Sequence, residues 1–313
     1  MTIDFAGKRL WFFLFSALVI AAGIVFLVIA PGLKLGIDFT GGTSLTVQFG
    51  GEVDQQRLRD EFGRIGHPEV TVQNLGENTY FVRTRPVSEA ERAAMIDGLE
   101  VAFAPLSVDP LAFDLVSPVV AGETVRNGLY AVIAAALGIF VYLWWAFKTV
   151  PNPFRYGVAA VIALVHDAVV VVGVFAFLGM VFGIEVNTMF LIALLTVIGY
   201  SVNDTIVVFD RLRENVLASP SRRFRDQVNI SVSETLSRSL NTSLTVLIVL
   251  FAMYLFGGAT IQSFLLVLLV GVIAGTYSSI GIAASVLVSW QEGDVPRLFR
   301  KVRGRGSPEP QAA

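Results

Sequence analysis

Two aspartates stand in stretches otherwise suited to lipid: Asp204, after Asn203, in the apolar run 186–209, and Asp167, after His166, in the run 156–180. Arg238 precedes a further apolar run, 240–256. Ionisable groups in such surroundings are expensive, so each is a candidate for ion or proton movement. Desolvation favours the protonated form of a carboxyl, a nearby guanidinium favours the ionised form, and arginine keeps its own proton. A change in the separation of Asp204 and Arg238 would therefore switch proton affinity at the aspartate. The run holding Asp204 ends near Arg211 and the next begins near Arg238, which puts the two at similar depths, where they can face each other. Helical spacing sets Thr196, Tyr200, Asn203 and Asp204 on one side, a polar stripe able to hold a file of water. The same charges also read as a buried pair that fixes helix register, and His166 with Asp167 as partners hydrogen-bonded within a bundle. An aspartyl protease built on Asp167 and Asp204 is disfavoured. No Gly-x-Gly-Asp stretch surrounds either residue, and an adjacent arginine opposes the shared proton that such a dyad needs.

The elements that hold these residues follow from composition. Hydrophobic residues make up 54% of the 313 and charged ones 15%, so lipid is the natural solvent. With no Cys and two His, disulfides, thiolate chemistry and Cys- or His-rich metal sites are excluded; a net charge of −2 says little by itself in a membrane protein, and there is no case for nucleic-acid binding. No cofactor is expected beyond the proton. A bilayer-crossing helix needs about 20 apolar residues. Six runs qualify, at 10–30, 129–147, 156–180, 186–209, 240–256 and 261–289, following a short N-terminus of residues 1–9. The first lacks a cleavage site and reads as an anchor. Lys8, Arg9, Lys148, Arg155, the arginines of the connection 211–238 and those of the tail 290–313 fall on one side, which the positive-inside rule makes cytoplasmic. Both termini then lie in the cytoplasm. The connection 211–238, broken by Pro220, suits an amphipathic helix at the membrane surface.

The insert 31–125 changes to water-exposed patterns and faces outward. Strands are expected over 44–49, 70–75, 80–85 and 113–117, with a helix around Leu58, Phe62 and Ile65 and another after the capping box of Ser88 and Glu91. The order β-α-β-β-α-β is that of a ferredoxin-like α+β domain, set between the first and second of six helices in an otherwise all-α membrane bundle. Gly271, Gly275, Ser279 and Ala283 recur every fourth residue in the last span, a smooth stripe for close packing by another helix, in this chain or in a second subunit.

Several stretches carry a resemblance that extends over nearly the whole chain. They are Gly36-Ile37-Asp38-Phe39-Thr40-Gly41-Gly42, His166-Asp167, the run from Thr196 through Asp204 to Asn215, Thr235 to Thr242, and Gly275-Thr276-Tyr277-Ser278-Ser279. In these the chain resembles the SecF branch of the SecD/SecF protein-export family, within the resistance-nodulation-division superfamily. The resemblance implies a non-enzymatic subunit of the cell membrane (inner or plasma membrane) that pairs with SecD and works beside the SecYEG channel, with YajC and YidC as neighbours and a translocating polypeptide as cargo. It implies that the proton-motive force drives export through proton transport at Asp204 and Arg238 together with an aspartate supplied by SecD; Asp167, His166, Asn203 and Tyr200 are secondary candidates for that path from their own placement in the apolar runs, not from the resemblance. It also implies a hinge at Gly41 and Gly42. Ser239 stands where the family often has Thr, and a hydroxyl remains. Two alternatives stay open: a scaffold that only stabilises SecD and the channel, and a small-molecule exporter of the same superfamily, whose usual second outer insertion has no counterpart here.

Overall fold

Among the described residues of the computed structural model, six helices are long and apolar enough to cross a bilayer: Ala6–Val28, Pro118–Ala146, Pro153–Phe182, Thr188–Ala218, Phe224–Phe256 and Ile261–Glu292. The structure describes residues 4–29 and 32–294, so the basic tail expected over 290–313 lies, beyond 294, outside the described residues. In chain order the elements are α1 (Arg9–Val28), α2 (Ile37–Thr40), β1 (Gly42–Phe49), α3 (Gln55–Arg64), β2 (Thr71–Gly76), β3 (Thr79–Thr84), α4 (Glu89–Phe103) and β4 (Val108–Val116). There follow α5 (Pro118–Ala146), α6 (Pro153–Phe182), α7 (Thr188–Ala218), α8 (Phe224–Phe256), α9 (Ala259–Ser278), a single wide π turn (Ser279–Ala283) and α10 (Ala284–Glu292). The chain divides into two compact units, one of residues 35–130 with 185–188 and the other of the remaining helical segments.

In the helical unit, glycine decides how closely helices meet. A β-carbon on Gly173 would lie 2.7 Å from the Gly23 Cα, so α1 and α6 touch backbone to backbone. Aromatic rings close one end of the core, where Phe147 stacks on Tyr156 at 5.4 Å and Phe209 meets both edge-on. At the same end Arg9 pairs with Glu292 at 2.6 Å and Asp294 at 2.7 Å, and Asn229 accepts the Ala6 amide at 2.8 Å. Asn229 also donates to Asp4, whose carboxyl is held below its ordinary pKa chiefly by that bond.

The connection 211–238 differs from its expectation of a separate surface helix. Instead α7 runs on to Ala218 and α8 starts at Phe224, leaving 219–223, with Pro220, as the turn. A 33-residue helix rises roughly 50 Å, well beyond a hydrocarbon layer of about 30 Å, so polar ends belong to the spans themselves. Arg211 bonds Glu234 across the two helices at 2.7 Å, and Asn215 donates to Ser231 at 2.8 Å.

In the second unit, alternation along β1 buries Leu45, Val47 and Phe49, joined by Val72, Tyr80 and Val82 from β2 and β3. Leu58 and Phe62 of α3, and Met95, Leu99 and Phe103 of α4, cover them at i, i+4 spacing. The sheet is antiparallel in the order β2-β3-β1-β4. The β2–β3 turn places Glu77 and Asn78 at positive φ, the conformation that tight hairpins require. β4 begins at Val108, not 113, because an edge strand tolerates Pro110, next to Leu111, which bulges out of β4 opposite Thr46 and Val47 of β1.

The start of α4 is a full capping box, with Ser88 accepting the Glu91 amide and Glu91 accepting the Ser88 amide at 2.7 Å. These bonds from Ser88, with Arg85 beside it, hold the Glu91 pKa down from 4.5 to about 2. A carboxyl with a depressed folded pKa stabilises the fold above its unfolded value, and that stability is lost as pH falls through the folded value. The Glu91 contribution should therefore be complete above about pH 4.5 and disappear as pH falls toward about 2, a slope that Glu91→Gln should flatten in acid-unfolding curves. Ser88→Ala should cost about 1 kcal/mol at neutral pH.

Candidate functional site

Asp167 is fully buried in the middle of α6, and three helices converge on it. Its Oδ2 accepts Ser201 of α7 at 2.5 Å and Ser278 of α9 at 2.7 Å. Its Oδ1 lies 2.9 Å from Nδ1 of His166, whose Nε2 lies 3.0 Å from Ser16 of α1. Ser16 is 3.1 Å from the Tyr277 hydroxyl, which donates to the Phe12 carbonyl at 2.8 Å. Every oxygen of Asp167 is engaged.

The glycines of α9 make this approach possible. A β-carbon at Gly271 would lie 2.1 Å from Val197 Cγ2, and one at Gly275 would lie 2.8 Å from Ser201 Cβ. The stripe of Gly271, Gly275 and Ser279 is thus filled by α7 of the same chain, and Ser279 bonds Thr205 at 2.8 Å and the Ser201 carbonyl at 3.2 Å. The π turn begins at Ser279, directly after the residue that reaches Asp167.

Asp204 is in the opposite condition. It is buried on α7, yet its Oδ2 makes no hydrogen bond, and neither does the buried Ser239 Oγ of α8, which is near enough to act on the carboxyl. Arg238 is exposed one residue before Ser239, and among the described residues no ion pair joins it to Asp204. The facing expected of Asp204 and Arg238 is met instead by Ser239, because consecutive helical positions point roughly 100° apart. The polar stripe divides similarly. Thr196 and Asn203 are exposed, Tyr200 is half-buried with its hydroxyl 3.4 Å from Ser243, and Asp204 lies at the inner margin.

Gly41 and Gly42 have φ of +73° and +136°, and β-carbons there would lie 3.0 Å from Pro118 Cα and 2.8 Å from the Thr84 carbonyl oxygen. Backbone conformation and close packing therefore require glycine at both positions. Nearby, Asp38 Oδ2 accepts the amide of Thr188, the first residue of α7, at 2.6 Å, and Arg83 pairs with Glu185 at 3.2 Å. Asp38 thus supplies a partner to one of the free amides at a helix start. Spacing gave no signal for it, since 150 residues separate the pair. The hydroxyls around Asp167 were missed for the same reason, although Ser16 in an apolar span was a visible irregularity.

Gly271→Val should push α9 off α7 and cost about 1–3 kcal/mol, read as earlier thermal unfolding in detergent. Ser201→Ala, which leaves Asp167 short of one donor, should cost about 1–3 kcal/mol by the same measurement.

Comparison with known proteins adds a relationship to this geometry. Residues 101–293 match the family model described as protein export membrane protein SecD/SecF, C-terminal, and residues 26–53 match the SecD/SecF GG motif. The chain is 44% identical to the protein translocase subunit SecF of Thermobaculum terrenum, over 99% of each. It is 36% identical to the protein translocase subunit SecDF of Bacillus subtilis, over 92% of this chain and 38% of that one. The crystal structure of SecDF, a translocon-associated membrane protein from Thermus thermophilus, superposes with a TM-score of 0.82 at 32% identity, covering 93% of this chain and 39% of that chain.

Proposed function

The chain belongs to the SecF family of protein translocase subunits, and we propose that it is the subunit in which proton passage at Asp204 is coupled to protein export. The observation that carries this reading is the unpartnered Asp204 oxygen in the bundle, beside an equally unpartnered hydroxyl at Ser239. A buried polar oxygen left without a partner is costly, and groups so left mark places where function outweighs stability. Arg238, on the open face one step along α8, is the cation whose approach would favour release of a proton from Asp204.

The exposed polar face of Thr196, Asn203 and Arg238 is where a SecD-type partner would bring its own carboxyl and close a water-lined path. One elementary charge crossing the membrane supplies about 2.3 kcal/mol per 100 mV, enough to bias a choice between two helix packings. In this reading the outer α+β unit, with its ferredoxin-like order of elements set between the first and second spans, moves about Gly41 and Gly42 and prevents a translocating polypeptide from sliding back. The chain is not an enzyme, and protons are its coupling ion. It sits in the inner or plasma membrane with both termini cytoplasmic, beside SecYEG, YajC and YidC.

Asp204→Asn should abolish proton-dependent export while leaving the complex assembled. Export by reconstituted vesicles, with and without a proton gradient, is the measurement. Equal stimulation by the gradient in parent and variant would reduce the chain to a scaffold.

A further inference from the structure

Two cavities flank the start of α8, and their charges differ in kind. One, of about 560 Å³, is lined by Arg223 and Arg225 together with Asp4, Asp226 and Glu292, so its cations have acidic neighbours. The other, of about 440 Å³, is lined by Arg155 and Arg222 and by no aspartate or glutamate. That volume is within the range of small-ligand sites, about 300–1,000 Å³. The rest of its lining combines polar Gln227 and Gln291 with apolar Val216, Leu217, Phe224 and Leu287.

Both arginines are held in place by the protein itself. The Ser219 carbonyl accepts the Arg222 amide at 3.1 Å and the Gln227 side-chain amide at 2.8 Å, which fixes the turn 219–223. Arg155 donates to Gln291 Oε1 at 2.5 Å and lies 5.7 Å from the centre of the Trp290 ring. Among the described residues neither guanidinium pairs with a carboxylate, and the Arg222 side chain makes no bond. A guanidinium has five N–H donors in a fixed fork that matches phosphate oxygens, and most of these ten are unused.

We propose that this cavity binds the phosphodiester headgroup of an anionic glycerophospholipid, with Arg155 and Arg222 on the phosphate and the apolar lining against the upper part of an acyl chain. Two cations without an acidic neighbour call for an anion. A free phosphate would leave Val216, Leu217 and Phe224 facing water, whereas a lipid covers them. The cavity also lies where α6 starts and α7 ends, at the basic end of the spans, and basic pockets between spans suit acidic headgroups. A zwitterionic lipid would bring its own cation toward two arginines. The bound lipid ties α6 and α10 to the turn that joins α7 to α8. The site rests on its lining whether or not Asp204 carries the transported proton.

Native mass spectrometry of the full chain, released from micelles holding equal phosphatidylglycerol and phosphatidylcholine, is the test. The five cations of 295–313 stay in every variant, so their general attraction for acidic lipid is constant. The parent should retain phosphatidylglycerol in preference to phosphatidylcholine. Arg222→Gln should reduce that retention roughly five-fold and its combination with Arg155→Gln roughly 25-fold, the scale of one arginine's attraction at an anionic surface applied once and twice. Replacing both arginines by lysine should preserve most of it. Arg222→Gln breaks no side-chain bond within the protein, so its thermal unfolding in phosphatidylcholine alone should match the parent, which separates lost binding from lost folding. Unchanged retention in the double variant would assign the lipid to the basic tail and overturn the proposal. Equal retention of phosphatidylcholine, or displacement of the lipid by an equal concentration of glycerol phosphate, would overturn it as well.

Discussion

In lipid a polar group must find its partner within protein, since the solvent offers none. The helical unit meets that constraint in two contrasting ways. Around Asp167 it is met completely, by hydroxyls drawn from two further helices and an imidazole that reaches a third. At Asp204 it is left unmet on one oxygen. Both arrangements depend on α7, which presents Ser201 to Asp167 and, one turn later, carries Asp204 itself. A displacement of α7 would act on the two carboxyls together, breaking bonds at the first while changing the neighbours of the second.

Small residues are what allow the constraint to be met. Serine hydroxyls are short, so they reach a buried carboxylate only when helix axes come close. Gly23 against Gly173 brings α1 to α6, and Gly271 and Gly275 bring α9 to α7. The π turn at Ser279–Ala283 follows from the same demand. A regular helix would carry Ser278 and Ser279 past in strict 3.6-residue register. The wider turn adjusts the phase of the segment beyond them, so hydroxyls on α9 and the apolar face of α10 can both pack inward. Close packing and polar satisfaction are thus one requirement here, with glycine and serine alternating as its two expressions.

What could be read from the sequence follows the range over which each signal acts. Apolar length marked the six spans, because a bilayer imposes it locally on every one of them. The Ser88–Glu91 box was equally legible, its two residues lying within one helical turn of each other. The connection 211–238 has the charge composition of a surface helix, and only its cross-helix bonds to Glu234 and Ser231 distinguish it from one. β4 was read too short because Pro110 is a strand breaker everywhere except at an edge, and edge position is a property of the whole sheet. Asp167 was legible as an ionisable group in lipid. Its serine partners, 34 and 111 residues away, were not.

The relation of Asp204 to Arg238 was the inference that depended most on depth and least on direction. Depth along antiparallel helices can be counted from their ends, but facing depends on helix rotation, and one residue of error turns a side chain by roughly 100°. Here that residue matters chemically. Ser239 can accept a hydrogen from a carboxylic acid or donate one to a carboxylate, so it serves either state. A guanidinium donates only, and favours the carboxylate alone. A rotation of α8 that exchanged residue 239 for residue 238 would therefore offer the same carboxyl a different kind of neighbour, selective for its charge where the serine is indifferent. On the proposed reading, the face that α8 turns toward α7 decides whether Asp204 keeps its proton, and whatever covers the open side of Arg238 sets that face.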